Sequence, residues 1–512
     1  MSKTAKAAAG LMIITMLSKV LGFAREMALG NAYGTTGVAD AYVIAMNIPT
    51  VIFALIGSSL ATSYIPLYSE IRENKGSKEA LNFSNNVLSI VLLISIGLLF
   101  IGFFFTEPIV KLFAIGYKGE QLLLTIKFTR ILFISIIFIG STYIIKSFLE
   151  SNDDFFTPGI SGFPYNIIII SSIVLSVYTK QEVLVWGSLL GVASQLIIQL
   201  PAATKKGYRF KFKINIKDEN LKKMLILITP ILIGASANQL NALVDRTLAS
   251  TLVEGSVSAL NYANRLNQFV IGTFVVSISA VIYPLLSNLS SKNDSKQFGE
   301  AITTSINAIA LLVLPISIGA IVLAEPIVNI LFERGAFTSE ATKMTSIALT
   351  FYSVGLLAIG IRDILTKAFY SLKDTKTPMK NGVVSVIINI ITNLILIKKM
   401  GIGGLALATS ISAFVGVILL FTSLRKKTNN LDEKLIFSTL SKTFISAILM
   451  GIATKTVYNF LISLMGISKL STLFSLGISI VIGIISYTIL VIVLKVKSIE
   501  YVSNIIKKYF KK

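Results

Sequence analysis

Apolar residues in this chain come in long unbroken runs and do not alternate with polar ones. A helix needs about 20 mainly apolar residues to cross the hydrocarbon core of a bilayer. Fourteen segments reach that length or come close to it: 7–29, 38–68, 86–106, 121–149, 160–178, 183–203, 221–249, 257–289, 301–323, 341–369, 381–397, 403–423, 439–463 and 471–495. The pattern predicts an all-α polytopic membrane protein with fourteen transmembrane helices. A transmembrane β-barrel would instead alternate apolar and polar residues over about ten positions.

The polar residues that break these runs are ordered too. In "SKVLGFARE", at 100° per residue, Ser18, Lys19, Gly22, Arg25 and Glu26 fall within an arc of roughly 120°. Val20, Leu21, Phe23, Ala24, Met27 and Ala28 fill the rest of the circumference. The first helix therefore carries one polar stripe, which must face protein or water. In "LNYANRLNQFVIGTF", Asn261, Asn264, Arg265, Gln268 and Gly272 share a face in the same way.

The chain also repeats itself at an offset of about 218 residues. Gly37 maps to Gly255, Pro66 to Pro284, "EPIV" at 107–110 to "EPIV" at 325–328, and, with two residues of slippage, "TP" at 157–158 to "TP" at 377–378. Each half holds six spans. An even number returns the chain to the same side, so the halves are expected to be parallel pseudo-repeats, as in many transporters. The expected domains are an N-lobe (1–204), a basic cytoplasmic linker (205–220), a C-lobe (221–424), an added helix pair (439–495) and a basic cytoplasmic tail (496–512).

Composition adds three constraints. The 512 residues are 54% hydrophobic and 14% charged, with a mean hydropathy of +0.78. The absence of cysteine and histidine excludes disulfides, thiol chemistry, Cys/His zinc sites and histidine acid–base catalysis. The net charge of +22 could indicate nucleic acid, but Lys and Arg concentrate in alternate connections, such as 69–85, 204–220 and 424–438. That is the positive-inside pattern: it places both termini in the cytoplasm and makes nucleic acid an unexpected partner. The first helix is expected to stay uncleaved. No predicted loop much exceeds 20 residues, which leaves no room for a soluble catalytic domain, and there is no nucleotide-binding P-loop. Any driving energy comes from ions, membrane potential or the substrate gradient.

In the linker, Tyr208, Phe210, Phe212, Ile214 and Ile216 alternate with Arg209, Lys211, Lys213, Asn215 and Lys217. This period of two fits an extended segment facing anionic lipid; a solvated linker is the alternative. Trp186 reads as an interfacial anchor.

Ionisable residues inside a membrane span are costly and mark bundle interiors or water-filled cavities. Arg25 and Arg265 lie on polar faces of different halves. If they converge, with Glu26 the one acid nearby, they leave excess positive charge suited to a phosphate or pyrophosphate. The alternative is an ion pair, Arg25–Glu26, or Arg265 with an acid elsewhere. Asp40 can pair with an arginine, latch a gate, or stand exposed at a helix start. Asp245, Asn389, Asn393 and Thr409 offer oxygens suited to a hard cation such as Na⁺. Against that stands a pairing of Asp245 with Arg246 or a lysine, plus interhelical amide bonds. Arg362, Asp363 and Lys367 read as a gate or interface network.

The motifs "SKVLGFARE", "GVADAYVIAMNIP", "YANRLNQF", "LFERGAFT" and "AFYSLKDTKTPMKNG" resemble the MurJ (MviN) family of lipid II flippases, within the multidrug/oligosaccharidyl-lipid/polysaccharide (MOP) exporter superfamily. The resemblance covers about residues 10–425. It implies two six-helix lobes, a final helix pair bordering a groove for a polyprenyl tail, and a monomer in the bacterial cell membrane. It also implies transfer of lipid II, the undecaprenyl-pyrophosphate peptidoglycan precursor, from inner to outer leaflet by alternating access. Arg25 and Arg265 match the family's cavity arginines, and Asp40 its aspartate in "ADA". Lys19 stands where arginine is usual, Glu26 where aspartate is common, and Asn393 where some relatives carry aspartate. Lys19, Glu26, Asp40, Asn261, Asn264 and Gln268 complete the expected substrate site. An arginine often found after "IP" is missing: Phe53 and Ala54 occupy that stretch. Other exporters of the same superfamily, for another lipid-linked sugar or for drugs coupled to a cation, are the alternative reading.

Overall fold

The computed structural model describes residues 3–428 and 430–496, without the side chains of 3–13, 54–56, 58–59, 61–62, 229–238 and 240. Ala54 and the basic tail beyond Val496 thus lie outside the description. Helix is the only regular structure among the described residues, and each of the fourteen expected segments falls on helix, apart from short breaks and a few end residues.

Two compact units divide the chain: Met1–Ser258 with Arg334–Phe337, and Ala259–Glu333 with Thr338–Lys512. The first holds α1 (Lys3–Tyr33), α2 (Gly37–Lys75), α3 (Ser77–Phe104), α4 (Thr106–Phe113), α5 (Gly119–Leu132), α6 (Ser135–Ser151), α7 (Phe156–Ile160), α8 (Gly162–Tyr178), α9 (Glu182–Lys205) and α10 (Glu219–Ala249). Helix α11 (Ser256–Val270) begins in the first unit and continues in the second. After a π-helical turn at Ile271–Val275 come α12 (Val276–Ser291), α13 (Ser295–Val322), α14 (Ala324–Phe332), α15 (Ser339–Val354), α16 (Leu356–Ser371), α17 (Lys376–Arg425), α18 (Glu433–Met465) and α19 (Lys469–Val493).

Among the described residues eight helices are long and apolar enough to cross a membrane, or ten if each of two bent pairs counts as one span. The burial pattern of α19 fits a bilayer. Thr472, Ser475, Ser479 and Gly483, spaced three and four apart, are buried with Leu476 beside them, whereas Phe474, Ile478, Val481, Ile485 and Ile489 are exposed. Small residues face the neighbouring helix and large apolar ones face outward, which suits a lipid solvent and would be unstable in water.

The two expected spans at 381–397 and 403–423 form the limbs of one hairpin, α17, where a five-residue loop was expected. The break is concentrated at Gly401, whose φ of 52° and ψ of −127° are open to glycine and strained for other residues. Asn381 on one limb meets Ser423 on the other, and Asn389 meets Thr409, so the limbs run antiparallel.

Local structure repeats along with sequence. Each "EPIV" lies in a short helix, α4 or α14. The pairs α5–α6 and α15–α16 are each bent by 42°. Asp153 (φ 60°) and Lys373 (φ 58°) end α6 and α16 in the left-handed region. Just beyond them, Asp154 accepts the amide (3.0 Å) and hydroxyl (2.8 Å) of Thr157, and Asp374 accepts those of Thr377 (3.0 and 2.6 Å). These caps satisfy orphan N–H groups where α7 and α17 begin. The "TP" pairs found in the sequence therefore mark one recurring corner.

Candidate functional site

In the first unit the polar stripe of α1 faces α8. The Arg25 guanidinium donates to Glu26 Oε1 at 2.9 Å and to Asn166 Oδ1 at 3.3 Å, and it lies over the Tyr165 ring at 5.3 Å. Ser18 abuts Gly162, and Gly22 lies beside Asn166. The Arg25 and Glu26 side chains are only 15% and 6% exposed, so the ion pair considered from the sequence is present. Its two bonds use two of the five guanidinium N–H donors. Lys19, on the same stripe, is exposed.

Asp40 is 1% exposed and pairs with backbone, not with an arginine. Its carboxyl oxygens accept the amides of Gly255 (2.8 Å) and Ser258 (2.7 Å). Those amides stand at the start of α11, so a side chain from α2 supplies the cap that the sequence of α11 lacks, at the positive end of the helix dipole. Glu254 accepts the Gly37 amide in the reciprocal direction. Nearby, Gly335 and Gly116 sit against the ends of α1 and α10. A Cβ on Gly335 would stand 2.3 Å from Asn31 O, and one on Gly116 would stand 2.1 Å from Ser250 O. The first unit also contains Asp245, buried on α10. Phe53, in the stretch where an arginine was expected, is fully buried against Gly140.

In the second unit α11 carries Asn261 buried, Asn264 half-buried, and Arg265 and Gln268 exposed. The π-turn follows directly, and such turns are frequent at functional sites. Asn389 joins Asn393 (2.8 Å) and Thr409 (3.4 Å), so three of the four candidate cation ligands come together inside α17, whereas Asp245 belongs to the first unit. Among the described residues no group of three or more Asp or Glu could hold a metal ion. On α16, Asp363 accepts the Ser279 hydroxyl and Lys367 lies over the Tyr283 ring at 5.6 Å, which ties α16 to α12 as an interface network. Trp186 is half exposed on α9. An apolar cavity of about 500 Å³ opens in this unit, lined by Leu314, Ile318, Leu357, Phe414, Leu440 and Phe444 from α13, α16, α17 and α18.

Sequence reasoning missed Tyr165 and Asn166 as partners of Arg25, and Asn267, which accepts the Ser353 hydroxyl at 3.4 Å. Asn166 could have been noticed as the one amide opening the run "NIIII", but its partner lies 141 residues away.

The long apolar helices and their exposed apolar faces define a multi-pass membrane protein. Its fold matches that of an inward-facing multidrug resistance MATE transporter of the MOP superfamily, with a TM-score of 0.70 at 15% identity over 81% of this chain and 97% of that one. The profile of the lipid II flippase MurJ family matches residues 29–474, and the chain belongs to that family. A probable lipid II flippase MurJ from Buchnera aphidicola subsp. Baizongia pistaciae is 30% identical over 82% of this chain and 83% of its own. One from Vibrio cholerae serotype O1 is 31% identical over 80% and 81%. A solved lipid II flippase MurJ in an inward closed conformation has a TM-score of 0.80 at 30% identity, over 97% of this chain and 99% of that one.

Proposed function

We propose that this protein is a lipid II flippase, moving the undecaprenyl-pyrophosphate-linked peptidoglycan precursor from the inner to the outer leaflet for cell wall synthesis. The carrying observation is the likeness to a solved lipid II flippase across 97% of the chain. No bond is made or broken; the protein acts as a transporter. Fourteen spans form two six-helix lobes and a final pair, α18 and α19, with both termini cytoplasmic, and the monomer is the working unit.

Transfer proceeds by alternating access. Arg25 and Arg265 clamp the pyrophosphate, with Lys19 adding charge. Planar guanidinium forks suit phosphate oxygens. The N–H donors that Arg25 keeps beyond its bonds to Glu26 and Asn166 support this role. Asn261, Asn264 and Gln268 contact the sugars, and the polyprenyl tail runs in the apolar groove beside α18. Asp40, holding the start of α11, is the latch that must release when the site opens outward. Na⁺ is proposed as the coupling ion: Asn389, Asn393 and Thr409 in the second unit present amide and hydroxyl oxygens, and Asp245 in the first a carboxylate, of the class a hard cation prefers.

Arg25→Ala and Arg265→Ala should each abolish flipping at normal levels of folded protein. Removing Arg25 also takes away the guanidinium 2.9 Å from buried Glu26, so Arg25→Ala is paired with Arg25→Ala/Glu26→Gln, which removes the carboxylate charge without restoring the clamp. Normal growth on both single arginine variants rejects the clamp.

A further inference from the structure

The linker between α9 and α10 is neither helix nor a free loop. From Tyr208 to Asn215 it runs extended along α3, held by side chains of that helix. Asn85 donates to Arg209 O (3.0 Å) and accepts the Lys211 amide (3.3 Å). Ser89 accepts the Lys213 amide (3.0 Å), and Asn86 closes a two-way bond with Asn215 (2.9 and 2.8 Å). Tyr208 pins the start: it is buried, with its ring 5.0 Å from that of Phe148.

In an extended strand successive side chains point to opposite faces. One face of this ribbon is Phe210, Phe212 and Ile214, and Ile216 follows in the turn before α10; all four are exposed, Phe212 by 63% and Ile216 by 72%. The other carries Arg209, Lys211 and Lys213, with Lys217 in the turn that follows; all four are exposed and without an acidic partner among the described residues. The three anchors stand where α3 passes from the polar stretch Ser77–Ser84 to the unbroken run that begins "VLSIVLLISIGLLF". The ribbon therefore lies at the level where that helix enters the bilayer. Four exposed large apolar side chains in a row are costly in water. Four unpaired cations beside them match a phosphate-rich surface.

We infer that residues 209–217 form an interfacial ribbon that docks on an anionic phospholipid surface, with Phe210, Phe212, Ile214 and Ile216 at the headgroup–acyl boundary and Arg209, Lys211, Lys213 and Lys217 on lipid phosphates. Amphipathic segments of this kind bind by apolar burial and attraction to anionic lipid together. The inference stands whatever substrate the protein moves.

The chain has no cysteine, so single cysteines at 209–217 can carry a nitroxide in the full-length protein, reconstituted in nanodiscs of phosphatidylcholine with or without phosphatidylglycerol. A label at Ile480, exposed on α19, confirms insertion of each preparation. With phosphatidylglycerol present, collision with oxygen should exceed collision with a water-soluble nickel complex at 210, 212 and 214, and the reverse should hold at 209, 211 and 213. Omitting phosphatidylglycerol, or introducing Arg209→Gln, Lys211→Gln and Lys213→Gln together, should reduce that contrast at least threefold. Equal aqueous access at all nine positions overturns the inference. So does a contrast indifferent to lipid charge and to the triple variant. Protection that appears only when a soluble acidic protein is added assigns the ribbon to a protein partner and overturns it as well.

Discussion

Replacing Asp40 tests how the start of α11 is held. Its carboxylate accepts two buried amides, at 2.8 Å from Gly255 and 2.7 Å from Ser258. A hydrogen bond to a charged group contributes about 1.5–3 kcal/mol, and a buried N–H left without an acceptor costs about 1–3 kcal/mol. In Asp40→Ala both amides lose their acceptor, and water can enter to replace part of the loss. The local cost should then be about 3 kcal/mol, or roughly a 150-fold rise in the opening equilibrium at about 1.4 kcal/mol per tenfold. Asp40→Asn keeps one carbonyl acceptor but turns an N–H₂ toward the other amide, so its effect should be smaller, about 2 kcal/mol or roughly 30-fold. Hydrogen exchange with mass spectrometry, on protein held in nanodiscs, reads this directly at Gly255 and Ser258. The expected order is Ala fastest, Asn next, wild type slowest, with α19 unchanged. A change under threefold at both amides refutes the cap. An equal acceleration at Ser479 in α19 refutes its locality, because that reports global loosening.

Other substitutions follow from the same geometry. Gly335→Ala places a Cβ 2.3 Å from Asn31 O at a φ of +56°, so the hydrogen bond from the Ala336 amide to Asn31 O (2.9 Å) should weaken. The cost is about 1–3 kcal/mol, seen as faster exchange at Ala336; an unchanged rate refutes the contact. Asp374 illustrates a pH effect. Burial alone would raise its carboxyl, but bonds from Lys427 (2.5 Å) and Thr377 outweigh that and hold it well below the usual carboxylate range. A depressed folded-state pKa gives stability that is present above the unfolded value, about 3.9, and lost as pH falls through the folded one. Thr377 amide protection, corrected for intrinsic rate, should therefore stay level from pH 7 to about 5 and fall progressively below that; protection indifferent to pH down to about 2 contradicts the pairing. Asp154→Ala should cost α7 about 1 kcal/mol of local stability, read as faster exchange at Thr157, and parity with wild type refutes its capping role.

The helices and the repeat could be read from the chain because apolar runs and recurring tetrapeptides are local signals. The stripe on α1 was legible for the same reason: one turn of helix fixes which residues share a face. What met that stripe was not, since Asn166 is 141 residues from Arg25 and no periodicity links them. Asp40 shows a second limit. Its type suggested an ion pair, but its partners are backbone amides more than 200 residues away, and a backbone amide has no sequence signature. The hairpin of α17 and its break at Gly401 were blurred because glycine in a short basic segment reads equally well as a loop. The linker's period of two was visible, and the fit of its extended backbone to Asn85, Asn86 and Ser89 emerged only from the fold.

The central claim, transfer of lipid II across the membrane, is tested most directly in cells depleted of their own lipid II flippase. Expression of this chain should restore growth and the fraction of lipid II in the outer leaflet, and Arg265→Ala should do neither. Lipid II that keeps accumulating in the inner leaflet, while the protein is folded and inserted, would contradict the account.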